Sequence, residues 1–213
     1  MSVATSAALP EPLTAEGFQA ETGVSRETLE QLQRYAEALI RWQARINLVA
    51  PATLPDLWRR HMLDSAQLLP LVPAGTRRLI DLGSGAGFPG LVLAILGVPQ
   101  VHLIESDQRK STFLREVARA TGTPVTVHTK RIEQVAPFPA DVVSARALAP
   151  LGDLLGFAAP FLGPDTLCLF PKGQMAEDEL TAASKIWNMN VDRIQSVTDP
   201  SATILRLSQV SRA

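Results

Sequence analysis

The chain has 213 residues, of which 46% are hydrophobic and 19% charged, and its formal net charge is −1. This composition supplies one medium-sized domain, or a core with an extension, and enough apolar material for a packed interior. It excludes the global basic excess of small nucleic-acid binders, so any RNA contact must come from local clusters such as Arg59-Arg60-His61, Arg77-Arg78, Arg109-Lys110 and Lys130-Arg131.

The first residues, 1–12, lack the basic start and apolar stretch of a secretory signal and read as a disordered tail. No apolar run approaches the roughly 18 residues that cross a bilayer, so no membrane contact is expected. The single cysteine, Cys168, excludes an intramolecular disulfide and fits a reducing, cytoplasmic setting. It lies in the strand-like run Thr166–Phe170, where a core thiol is a better reading than a nucleophile. Three scattered histidines and one cysteine give no zinc spacing, so no metal is expected.

Residues 13–76 carry a helical pattern. Ser25 caps a predicted helix reaching Ile46, with Leu29, Leu32, Ala36, Leu39 and Ile46 along one face. Thr53 is expected to cap a second helix, with Pro55 in its first turn, running to the stop at Pro70. Such an extension has to pack on something larger, here residues 77–213. There the predicted elements alternate: strand Arg78–Leu82, a glycine-rich turn, helix Pro89–Leu96, strand Val101–Glu105 and helix Arg109–Ala120. Strands Val125–Thr129 and Asp141–Ser144, helix Leu151–Leu162, strand Thr166–Phe170 and helix Glu177–Ile186 follow. Strands Asn190–Val197 and Thr203–Leu207, with a turn at Asp199-Pro200 and no helix between them, pair as a hairpin. Alternation of this kind predicts an α/β fold, a Rossmann-like sheet of seven mostly parallel strands with an antiparallel C-terminal hairpin.

The turn Asp81-Leu-Gly83-Ser-Gly85-Ala-Gly87-Phe-Pro-Gly90 is the most informative stretch. Its glycines bend the chain sharply from strand to helix, at the strand end where such sheets bind ligands. Gly85-x-Gly87-x-x-Gly90 fits a dinucleotide fingerprint, whereas Gly83-x-Gly85-x-Gly87 fits a methyltransferase turn. Glu105, ending the second strand, suits ribose hydroxyls in either case. Asp81 favours the second reading, because a carboxylate holds a methionine ammonium but opposes a pyrophosphate. Pro89 also removes an amide at the helix start. The antiparallel ending, and the lack of room for a second substrate domain, point the same way.

The chain resembles the ribosomal small-subunit methyltransferase G family (glucose-inhibited division protein B) in Asn47-Leu48-Val49, Arg60-His61-Met-Leu-Asp64-Ser65 and Asp81–Gly90. It does so again in Arg109-Lys110 with Phe113-Leu114, in Ser144-Ala145-Arg146-Ala147 and in Pro171-Lys172-Gly173, all in order from about residue 30 to about 207. The resemblance implies a class I S-adenosyl-L-methionine-dependent enzyme that methylates guanine N7 in the decoding-region loop of 16S rRNA. The partner it implies is that rRNA in a small ribosomal subunit or assembly intermediate. It implies cofactor contacts at Gly83 and Phe88 and at Ile132 and Glu133, the latter through the main chain. Arg146 is then an active-site residue beside cofactor and target base. Ile132 departs from the small residue common in the family, which a main-chain contact tolerates. Asp81, Gly85, Gly87 and Glu105 complete the expected cofactor set.

The remaining residues agree with that substrate. No Asn/Asp-Pro-Pro-aromatic turn, the usual device for exocyclic amines, follows Ser144, and no cysteine sits at a strand end for attack on a pyrimidine. Guanine N7 offers a free lone pair and needs no base. Arg146 and Lys172, at strand ends, are the expected grips on RNA phosphate or the guanine O6 edge; for Arg146 the bland alternative is an ion pair with Asp141 or Glu133. His61 and Asp64 share a helix face, as a surface pair or as substrate contacts. Trp42 and Trp58 read as packing anchors and His102 and His128 as structural. A nicotinamide-dependent oxidoreductase, or an inactive RNA-binding module, is the competing function.

Overall fold

The computed structural model describes residues 11–213; the remainder of the expected tail, 1–10, lies outside the described residues. Seven strands form one sheet: β1 Leu79–Leu82, β2 Val101–Ile104, β3 Val125–His128, β4 Ala140–Ala145, β5 Leu162–Lys172, β6 Trp187–Gln195 and β7 Thr203–Arg212. Their order is β3-β2-β1-β4-β5-β7-β6. The β1–β5 pairings are parallel, and β7 runs antiparallel between β5 and β6. β1 is central, with Leu79 beside both Val101 and Val142, and all four of its residues are buried. A strand covered on both faces must be apolar throughout. Asp81 breaks that rule.

Side chains alternate across the sheet, so Leu79 joins one apolar cluster while Ile80 and Leu82 join another. The first face carries α4 Gly90–Ile95 and α5 Gln108–Thr121; the second carries α6 Leu151–Ala158 and α7 Ala176–Ala183. Two N-terminal helices, α1 Ala15–Thr22 and α2 Arg26–Gln43, bury Phe18, Leu32, Tyr35 and Leu39 in the first cluster. Tyr35 stacks on Phe88 at 5.2 Å, and Trp42 meets Phe113 edge-on at 5.8 Å. Trp58 packs on Phe18 at 5.4 Å, so both tryptophans make helix-packing contacts.

Ser25 caps α2 as its sequence predicts, its hydroxyl accepting from the Thr28 amide at 3.2 Å. The helix stops at Gln43, and Ile46 is buried beyond it. α1 carries no strong apolar periodicity, and its fold depends on the Thr14 cap and the burial of Phe18. The expected second helix is broken into pieces: a 3₁₀ stretch Pro51–Asp56, a π-helical turn Trp58–Leu63, and the short α3 Asp64–Ala66. Two prolines, Pro51 and Pro55, impose the tight start. Thr53 does not cap it; its hydroxyl donates to the Ala50 carbonyl at 2.7 Å instead. π-turns recur at functional sites because the widened turn re-aims side chains and carbonyls. This one carries His61.

Candidate active site

A cavity of about 1010 Å³ opens at the C-terminal ends of β1, β2, β4 and β5, where sheets of this type receive ligands. Its walls include Gly83, Gly85, Phe88, Glu105, Ile132, Glu133, Arg146 and Lys172. At Gly83, φ is +62°, and an added Cβ would fall 2.5 Å from Leu148 Cδ1. Only glycine leaves the cavity open there.

Three amides of the turn are spent inside the protein. Ser84 donates to the Ile104 carbonyl at 3.0 Å, Gly85 to Glu105 Oε2 at 2.9 Å, and Gly87 to the Ser84 carbonyl at 2.6 Å. Pro89 has no amide to give. Glu105 Oε1 accepts from the Asp107 amide at 2.7 Å, so the carboxylate ties the turn to the start of α5 while facing the cavity. Ile104, Ile132, Leu148 and Phe157 supply apolar wall nearby.

Two expected cofactor residues lie elsewhere. Asp81 is fully buried beneath the turn, absent from the cavity wall, with Oδ1 accepting from Ser144 Oγ at 2.8 Å. It points to the α4 face, where Gly90 leaves room: a Cβ there would come 2.6 Å from Asp81 Cβ. Its Oδ2 has no hydrogen-bond partner, and burial raises its pKa to about 6. Of these two carboxylates, Glu105 is the one that lines the cavity. Gly87, at φ +94°, also lies off the wall; a Cβ would meet Tyr35 Oη at 2.6 Å. It admits the Tyr35 ring, whose hydroxyl donates to the Ala86 carbonyl.

At the other end of the cavity, Arg146 follows β4 and is held on several sides. Nη1 donates to Asp64 Oδ2 at 2.9 Å and to the Arg60 carbonyl at 3.2 Å; Nη2 donates to His61 Nδ1 at 2.9 Å. Its guanidinium lies 5.0 Å from the centroid of the Phe88 ring, on which His61 also stacks at 4.9 Å. The bland reading of Arg146 thus has the wrong partners. Asp141 accepts from the Arg77 and Arg78 amides, and the ion pair is with Asp64 of the N-terminal region. Burial, then the charges of Arg146 and Arg60, push the His61 imidazole down to about 3.

Lys172 lines the cavity but is tied down. Nζ pairs with Glu179 at 2.7 Å and donates to the Ala149 carbonyl at 2.8 Å, leaving the side chain 10% exposed. A lysine so engaged is a poor phosphate grip. Arg60 is paired with Asp199 at 3.2 Å. Lys110, Lys130 and Arg131 also line the cavity, and none of them makes an ion pair among the described residues.

Thr53 and Thr198, which reach the site only through the fold, have no signal in the sequence. Thr198 Oγ1 donates to Asp64 Oδ1 at 2.8 Å, and Thr53 Oγ1 lies 2.7 Å from His61 Nε2. Tyr35 is detectable as an aromatic on the apolar face of a helix, but its contact with the turn is not. Cys168 is buried in β5 with its thiol pushed up to about 12, and His102 pairs with His128 at 3.0 Å away from the cavity. No group of three or more His, Cys, Asp or Glu side chains among the described residues is placed to hold a metal ion. No helix there is long and apolar enough to cross a membrane.

Comparison with solved structures gives the fold. A ribosomal protein L11 methylase from Lactobacillus delbrueckii subsp. bulgaricus aligns with TM-score 0.57 at 16% identity, covering 68% of this chain and 76% of that one. A TehB-like SAM-dependent methyltransferase from Corynebacterium glutamicum aligns with TM-score 0.55 at 14% identity, covering 83% and 96%. Both likenesses place the chain in the Rossmann-like class I methyltransferase fold. Sequence relatives are nearer. The ribosomal RNA small subunit methyltransferase G of Paramagnetospirillum magneticum is 65% identical over 197 residues, 92% of this chain and 96% of that protein. Its namesake in Rhodospirillum rubrum is 57% identical over 201 residues, 94% and 100%. The family model for rRNA small subunit methyltransferase G matches residues 28–205, and the chain belongs to that family.

Proposed function

We propose that this chain transfers a methyl group from S-adenosyl-L-methionine to N7 of a guanine in 16S rRNA, in the cytoplasm. Glu105 is the observation that carries the cofactor half of this reading. A dinucleotide needs the free amides of a glycine turn for its pyrophosphate, and here Gly85 gives its amide to a carboxylate that stands in the cavity. The same carboxylate keeps lone pairs for ribose hydroxyls. The carboxylate suits the ribose of a nucleoside cofactor, and the amide that it takes from the turn is lost to a pyrophosphate.

The residues present also fit the rest of the group. Glu105 would hold the ribose, Ile132 and Glu133 the adenine edge, and Gly83 and Gly85 the methionine portion. Asp81, buried and with Oδ2 unpartnered, would act through its field on the methionine ammonium rather than by contact. When bound, S-adenosyl-L-methionine supplies an electrophilic methyl on a sulfonium.

For their part, the protein's side chains bind and align. Each candidate base at the far end of the cavity is already engaged: His61 Nδ1 by Arg146, Asp64 by Arg146 and Thr198, Glu179 by Lys172. A site of this kind suits a nucleophile that loses no proton, as guanine N7 does. Its rate comes from orientation of N7 towards the methyl carbon. Arg146, at the cavity wall and free to use its remaining N–H groups, faces the guanine edge. Lys110, Lys130 and Arg131, unpaired, are better placed than Lys172 to take RNA phosphates. Residues 13–76 act as an extension that completes the site on the core, 77–213.

The test is methyl transfer from isotopically labelled cofactor to small ribosomal subunits from a strain lacking the activity, followed by mapping of the modified nucleotide. Label at one guanine, as N7-methylguanosine, is the expected result. Label on a pyrimidine or an exocyclic amine, or none, overturns the proposal.

A further inference from the structure

Arg146, at the end of β4, stands where two other chain segments, residues 58–66 and the β6–β7 connection, come together. The π-helical turn supplies His61 Nδ1 and the Arg60 carbonyl, α3 supplies Asp64, and the β6–β7 connection supplies Thr198 behind Asp64. The direction of each hydrogen bond follows from the chemistry. An arginine only donates, so His61 Nδ1 must present a lone pair. A neutral imidazole then carries its proton on Nε2 and donates it to Thr53 Oγ1, whose own proton is directed to the Ala50 carbonyl. On the other side Asp64 Oδ2 takes the Arg146 charge, while Oδ1 accepts from Thr198 Oγ1 at 2.8 Å and from Gln67 Nε2 at 2.9 Å. Every group in this chain has one compatible role.

The chain of bonds is also well shielded. Arg146 and Asp64 have side chains 19% and 17% exposed, and His61 is buried with its ring on Phe88. An ion pair of this kind is stiff, since losing one partner strands the other's charge away from water. Ala50, Thr53 and Thr198 themselves line the cavity, so the bonds that fix Arg146 also fix the rim around it.

We propose that His61 and Asp64 are positioning residues for methyl transfer: a neutral Nδ1 acceptor and a carboxylate clasp the Arg146 guanidinium in its working orientation. The N-terminal region thus contributes to turnover as well as to packing. This rests on the proposed function, in which Arg146 faces the target base. His61 and Asp64 act through Arg146 and need touch neither substrate nor cofactor.

The experiment compares Asp64→Asn, His61→Gln and His61→Asn with the full-length wild type. Asparagine places its Oδ1 where histidine has Nδ1 and still accepts from Arg146, whereas glutamine reaches only the Nε2 position. Turnover on small subunits is expected to fall roughly 10- to 100-fold in Asp64→Asn and His61→Gln, the size of loss a misplaced active-site group gives. Affinity for S-adenosylhomocysteine should stay within about threefold, which marks an effect on the transition state rather than on cofactor binding. His61→Asn should recover most of the turnover. The Arg146 Nη–H NMR signal, assigned by its loss in Arg146→Lys, should be shifted in the wild type and in His61→Asn. In the other two variants it should move to the position of solvent-exposed arginines. An unmoved signal in both Asp64→Asn and His61→Gln, or a His61→Asn variant no better than His61→Gln, overturns the proposal. Should the wild type transfer no methyl group, the proposed function falls, and the Arg146 signal still judges the clasp by itself.

Discussion

At one end of the cavity, Gly85 and Glu105 stand 20 residues apart and join two neighbouring strand ends by one hydrogen bond. At the other end, Arg146 is 82 residues from Asp64, which in turn is 134 from Thr198. The cofactor end is made from the β1 strand–turn–helix unit, the end of β2 and the segment after β3, which are consecutive neighbours in the sheet. The substrate end is assembled from segments distant in sequence, and only tertiary packing brings them together. The first is a binding surface on which a carboxylate has taken one amide of the turn. The second is a set of charges that hold one another still.

The largest expected effect sharpens the cofactor end. Glu105→Ala should weaken S-adenosylhomocysteine binding by roughly 10²- to 10³-fold in calorimetry, because it removes charge-assisted hydrogen bonds to ribose and leaves the Gly85 amide unpaired. An affinity within a few-fold of wild type would mean that Glu105 braces the turn and does nothing else. Next comes Arg146→Ala, expected to lower turnover roughly 100-fold with little change in cofactor affinity. Equal loss of both would move Arg146 to the cofactor end and erase the distinction.

How much is legible in the sequence follows the same division. Asp81–Gly90 and Glu105 announce a strand, a turn and a ligand crevice, and the sheet has the seven strands and antiparallel ending that the alternation implies. Asp81, however, lies beneath the turn and off the cavity wall, so of the two carboxylates Glu105 is the one that a ligand meets. Periodicity does not reveal that β1 is covered on both faces, and that cover buries Asp81 while Glu105 ends its strand in the open crevice. Gly87 misleads for a related reason: the chemistry of a glycine is the same whether a ligand or the Tyr35 ring takes the space. Lys172 looks free in the sequence because its partner, Glu179, follows a turn and sits on α7. His61 and Asp64 are recognisable as a pair on one helix face, but nothing local names Arg146 as the group between them.

Smaller effects probe the substrate end. Arg131→Ala should reduce the slope of log affinity against log salt for small-subunit binding by about 1, as losing one phosphate contact does. Lys172→Met should leave that slope unchanged, since its ammonium is held by Glu179 and Ala149. A reversed result would return Lys172 to the RNA and remove Arg131 from it.

Acid stability is the last. The folded His61 refuses a proton until about pH 3, whereas an unfolded imidazole titrates near 6.5. Between these values the unfolded state binds more protons, so stability falls as pH falls. Asp81 acts in the opposite direction, its folded pKa of about 6 lying above the usual 3.8, so its contribution favours the fold as pH drops through that window. Comparing wild type with His61→Asn cancels the Asp81 effect. From pH 7 to pH 5 the wild type should lose about 2 kcal/mol more than the variant in denaturant melts. Parallel losses would show that His61 takes up its proton normally in the folded state.

The crevice at the ends of β1 and β2 receives a nucleoside against the Glu105 carboxylate, which takes the Gly85 amide from any pyrophosphate. Calorimetric titration of the wild-type chain with S-adenosylhomocysteine and, separately, with NAD tests this most directly. One-to-one binding of the first and no heat from the second are expected. Saturable binding of NAD that S-adenosylhomocysteine displaces, or no binding of S-adenosylhomocysteine, would contradict it.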